Sequence, residues 1–109
     1  MKPPLQTACE WTRSTNWRAF EDGSEGTAAH YQPGRISVEY RYGPEGARVE
    51  RVLVYTRHED PRRRKLKDVL TRFSAQMRRI VARIVRDNER SNGRFIASVL
   101  LPDGEVAHA

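Results

Sequence analysis

Leu66, Leu70, Phe73, Met77, Ile80 and Ile84 recur at intervals of four, three, four, three and four residues, and an α-helix is the local structure that brings positions so spaced onto one side of the chain. Val69 and Val81 widen the stripe. The spacing predicts one long amphipathic helix over residues 61–91, about eight turns. Asp60 is a favoured N-cap, and Pro61 suits the first helical position, where its missing N–H would have had no partner anyway. Ser91, Asn92 and Gly93 signal the stop, glycine being suited to the left-handed position after a helix. A helix with one apolar side has to cover something, so the rest of the chain must supply an apolar surface.

Residues 35–42 alternate. Ile36, Val38, Tyr40 and Tyr42 share one face, and Arg35, Ser37, Glu39 and Arg41 the other, the signature of a half-buried strand. Gly43, Pro44, Glu45 and Gly46 then offer turn chemistry, followed by a second strand that becomes apolar on both faces at Val52, Leu53, Val54 and Tyr55. This reads as a hairpin over residues 35–57. Residues 94–101 read as a third strand closed by a Pro102, Asp103, Gly104 turn, with Val106 starting a short return strand. The first 34 residues show neither periodicity and read as an irregular N-terminal arm, in which Trp11, Trp17 and Phe20 anchor a piece that folds back onto the domain. With 109 residues the chain has room for one modest core. The expected fold is therefore α+β: an arm over 1–34, then a single domain over 35–109, in which a small antiparallel sheet (hairpin plus C-terminal strand) packs on one long basic helix.

The formal net charge is +6, and residues 58–92 hold the whole excess, with eleven Lys/Arg against five Asp/Glu. On a helix turning about 100° per residue, with Phe73 at zero, the apolar arc runs from about −40° at Val69 to about +80° at Val81, with Val85 at its margin. Lys65, Arg72, Arg79, Arg83, Arg86 and Arg90 fall between about −80° and −140°, a ridge about 37 Å long at 1.5 Å per residue. Arg62, Arg63, Arg64 and Lys65 crowd the first turn of the expected helix, where its dipole disfavours each cation by roughly 0.3–1 kcal/mol. Like charges three and four residues apart along the ridge cost a few tenths of a kcal/mol more per pair. Local penalties of this kind mark surfaces kept for a purpose.

That purpose is expected to be non-enzymatic binding of structured or duplex RNA or DNA, with the ridge and Arg62, Arg63 and Arg64 gripping the phosphate backbone and little sequence readout. A phage or viral regulator and a ribonucleoprotein subunit would both suit such a chain. Trp11 and Trp17 are candidate stacking platforms for bases as well as candidate anchors. The competing reading is a protein-interaction factor, an inhibitor or assembly subunit docking its basic helix on an acidic partner protein. The heptad-like seam also permits antiparallel pairing with a second copy, a homodimer.

Other function classes find little to stand on. No apolar run approaches the ~20 residues needed to span a bilayer, and the N-terminus lacks a hydrophobic signal core, so an intracellular, cytoplasmic protein with no membrane partner is expected. Cys9, the single cysteine, reads as an inert thiol and allows neither an intramolecular disulfide nor a cysteine zinc cluster. His58, Glu59 and Asp60 stand side by side, but neighbours in sequence point in different directions and Asp60 is expected to cap the helix. Neither a metal site nor a cofactor is expected, and there is no glycine-rich phosphate loop or nucleophile elbow.

Overall fold

The computed structural model describes residues 3–11, 34–44, 46–56, 61–63 and 66–108. Alternation builds the centre of the sheet as expected. Strand β2 (Gly34–Gly43) turns at Pro44 into β3 (Gly46–Thr56), and the two pair antiparallel from Gly43↔Gly46 to Gly34↔Thr56. Gly46, at φ +101°, takes a backbone conformation that side-chain-bearing residues rarely adopt. The register slips between Glu39 and Tyr40, leaving Glu50 unmatched. This bulge puts Ala47 and Val49 on the same face as Val52 and Val54. All four are buried with Ile36, Val38 and Tyr40 on one continuous core face, and Leu53 is buried on the opposite face, as a strand apolar on both sides requires.

The arm is not irregular throughout. Residues Leu5–Trp11 form β1, antiparallel to β2 from Leu5↔Arg41 to Trp11↔Arg35. Ala8 is its buried apolar contribution, and one small residue gives too little contrast to reveal a strand in sequence. The rest of the expected arm, residues 12–33, lies outside the described residues.

The long helix is the larger correction. Pro61–Arg63 form a single 3-10 turn, Leu66–Val69 form strand β4, and the α-helix α1 spans Ala75–Ser91. β4 pairs with the far end of β3 through Leu53↔Val69, Val54↔Asp68 and Tyr55↔Leu66, and the Leu70 N–H donates to the Val52 carbonyl at 2.9 Å. These bonds give the edge of β3 partners that a helix over 61–74 would not supply. Ser74, in extended conformation, is the real N-cap, its hydroxyl accepting from the Met77 N–H at 3.0 Å. Leu70 and Phe73 are still core residues, but they reach the core from the connection ahead of the helix. Arg62 and Arg63 therefore lie outside α1, free of its dipole.

α1 is the crossover to β5 (Ser98–Leu100), which runs parallel to β3 through Ala47↔Val99 and Arg48↔Leu100. Parallel strands need a connection of a dozen residues or more, and the helix provides it. The expected strand over 94–101 is thus shorter and the sheet is mixed. β6 (Val106–His108) returns antiparallel to β5, the short return strand the turn at 102–104 suggested. The order across the sheet is β1-β2-β3-β5-β6, with β4 sharing the β3 edge with β5. α1 covers one face, touching β1, β2, β5 and β6. The class is α+β, one helix packed on a small sheet. No helix among the described residues is long and apolar enough to cross a membrane.

Candidate functional site

Shortening the helix turns its buried face. Met77, Val81, Ala82, Ile84, Val85 and Glu89 are the buried positions of α1. In the frame with Phe73 at zero they span about 20° to 180°, centred near 100°, with half-buried Ile80 at the margin near about −20° and Val69, which drew the expected arc furthest toward negative angles, in β4 and not helical. Val85, expected at the margin, is fully buried. The seam offered for pairing with a second copy is likewise spent within the chain, Met77 and Ile84 both being buried against the sheet.

The ridge gains from this rotation. Arg79, Arg83, Arg86 and Arg90 keep their angles near −80° to −140°, so they now lie diametrically opposite the core. Arg79, Arg83 and Arg90 are exposed and Arg86 is half-buried. The row is about 16 Å long, not about 37 Å. α1 carries two acids, Asp87 and Glu89. Asp87 pairs with Arg86 at 3.2 Å and Glu89 points into the core. Arg79 and Arg90 have no salt bridge among the described residues.

The end of α1 is held by a network that the sequence reading did not contain. Glu89 is completely buried, and the Tyr40 hydroxyl donates to its Oε1 at 2.6 Å, while Asn88 Nδ2 donates to the Tyr40 oxygen. Arg94 Nη1 lies 3.2 Å from Glu89 Oε2, and its guanidinium stacks 4.9 Å from the centre of the Tyr42 ring. Burial, with help from the bond to Glu89, pushes the Tyr40 hydroxyl up to about 12. A buried carboxylate needs partners of this kind, since an unpaired one would be strongly disfavoured. The signal was present: Glu89 sits near 160° on the helix, inside the buried arc once the arc is drawn from Ala75. At the other end, Arg78 turns away from the ridge and forms a two-pronged bond with Asp103, the shorter arm 2.6 Å, which holds the Asp103 carboxyl below its ordinary range.

The remaining expected residues scatter. Arg72 is exposed in the link before Ser74, and Arg62 and Arg63 are exposed in the 3-10 turn; none is on the helix. Arg64 and Lys65 lie outside the described residues, as do Trp17, Phe20 and the His58, Glu59, Asp60 trio. The backbone of Trp11 ends β1, but its side chain is also outside them. The outer face of the sheet holds a second group of arginines, of which Arg48 is exposed and three others meet neighbours. Arg51 binds Glu39, Arg41 bonds the Pro3 carbonyl at 2.7 Å and lies 3.3 Å from Glu50, and Arg35 lies over the Tyr55 ring. Among the described residues no group of three or more His, Cys, Asp or Glu side chains is placed to hold a metal ion.

No protein-family model matches the chain, and neither a curated protein nor a solved structure matches it. The reading of the site therefore rests on its own chemistry.

Proposed function

We propose that the chain is a non-enzymatic nucleic-acid-binding protein that grips the phosphate backbone of structured or duplex RNA or DNA with the outer face of α1. One observation carries the reading: Arg79, Arg83, Arg86 and Arg90 line the side of the helix that faces away from the core, and of the two acids of that helix Asp87 pairs with Arg86 alone while Glu89 is buried. A duplex carries one phosphate per strand for about every 3.4 Å of its axis, so a ridge about 16 Å long lies within reach of several of them. Guanidinium suits this task because its planar fork pairs with phosphate oxygens and is less strongly hydrated than ammonium. The like-charge repulsion along the ridge is relieved when phosphates lie on it.

The test is retention of labelled duplex RNA, duplex DNA and single strands by the wild type and by the Arg79→Glu, Arg83→Glu double variant. Binding at low salt that the double variant loses supports the proposal. Failure of the wild type to bind any of them refutes it, and docking of the same face on an acidic protein becomes the better account.

A further inference from the structure

Phe95 is 81% exposed. The other large apolar residues left in water, Leu5, Val69 and Val106, are aliphatic and at most about half exposed. A phenyl ring on a loose loop could fold down onto the protein, but this one has little freedom to do so. On one side the Gly93 N–H donates to the Arg90 carbonyl at 3.0 Å and the Arg94 N–H to the Glu89 carbonyl at 2.9 Å, while the Arg94 side chain is held by Glu89 and Tyr42. On the other side Ile96 is buried in the core. The ring is thus carried between two anchored neighbours, five residues after Arg90, the last arginine of the ridge in sequence.

From this juxtaposition we infer that Phe95 is a stacking platform for an unpaired base, and that the favoured ligand is a duplex carrying a single-stranded overhang, its backbone on the ridge and a base of the overhang on the ring. The inference rests on the nucleic-acid reading above and narrows its substrate class. Every base has an apolar π-face, so the contact is sequence-tolerant, and alanine replacement of a stacking aromatic typically weakens binding by about 5- to 100-fold. The anchored backbone on either side also limits the conformational freedom lost on binding.

The experiment compares a blunt RNA or DNA hairpin with the same hairpin carrying a short uridine or thymidine overhang, using the full chain. The wild type should prefer the overhang by about 5- to 100-fold. Phe95→Ala should lose that preference while binding the blunt hairpin as before, and Phe95→Trp should keep it. A 5-iodouridine in the overhang should photocrosslink to Phe95. If the wild type binds both hairpins equally, or Phe95→Ala weakens both alike, the inference is overturned and the ridge reading stands. If neither hairpin is bound at low salt, both fall. If Phe95→Ala leaves the overhang preference intact but dissociates an oligomer in light scattering, the ring covers a second copy instead and the inference is again overturned.

Discussion

Replacing Glu89 by alanine removes the one buried charged residue among the described residues, and the loss is open to estimate. The bond from the Tyr40 hydroxyl is fully buried and made to a carboxylate, worth about 2 kcal/mol. The Arg94 partner is about half exposed, with 48% of its side chain accessible, so water screens the pair and it adds no more than about 0.5–1 kcal/mol. The one buried methylene lost adds about 0.8 kcal/mol. The expected destabilisation is about 3.5 kcal/mol, within the usual 3–5 kcal/mol for breaking a buried pair from one side. Glu89→Gln keeps the volume and an acceptor for Tyr40, so about 1–2 kcal/mol is expected. Urea unfolding followed by circular dichroism at neutral pH reads both, as midpoints lowered by about 2–4 M and about 1 M at the slopes usual for small domains. Tyr40→Phe should cost less in the Glu89→Gln background than in the wild type, by about 1 kcal/mol. A Glu89→Ala midpoint within about 0.5 M of the wild type, or no coupling between the two positions, would show that the network does not secure the helix.

Other outcomes follow from single groups. Tyr40 is raised from 10.0 to about 12 in the folded chain, so between those values the native state holds a proton that the unfolded state has lost; stability falls as pH rises through this window, by up to about 3 kcal/mol, and the fall should be smaller in Tyr40→Phe. Asp103 is lowered chiefly by its bond to Arg78, so its contribution is present above its ordinary 3.8 and lost as pH falls through the lower folded value. The difference between the wild type and Asp103→Asn, under about 1 kcal/mol at pH 7, should therefore vanish in acid. Gly93 has φ +77°, and Gly93→Ala should cost about 1 kcal/mol in thermal or urea unfolding.

The parts of this fold legible in sequence are those where one local pattern sufficed. Ile36, Val38 and Tyr40 alternate with polar residues because one sheet face meets the helix and core, and Ser91, Asn92 and Gly93 end a helix wherever it began. The start of the helix was misread because Leu66, Leu70 and Phe73 satisfy helical spacing while serving as strand and plug residues, a choice made by the open edge of β3 and invisible locally. Asp60 and Pro61 made a plausible cap, and Ser74 is the one the structure uses. The parallel pairing of β5 with β3 depends on where the crossover lands, which no short window records. Of the candidate site, Arg79, Arg83, Arg86 and Arg90 were legible because their angles do not depend on where the helix starts. Glu89 was missed because its role needs Tyr40, forty-nine residues away.

The salt dependence of binding tests the central claim most directly. Four arginines on a duplex backbone predict a slope of log Kd against log salt of about 3.6, and about 2.8 on a single strand. Affinity for a duplex should fall by about 150-fold between roughly 50 and 200 mM salt. Arg79→Ala with Arg83→Ala should halve the slope to about 1.8. A slope near zero, or one unchanged in that double variant, would contradict an arginine ridge that works by displacing counterions from phosphate.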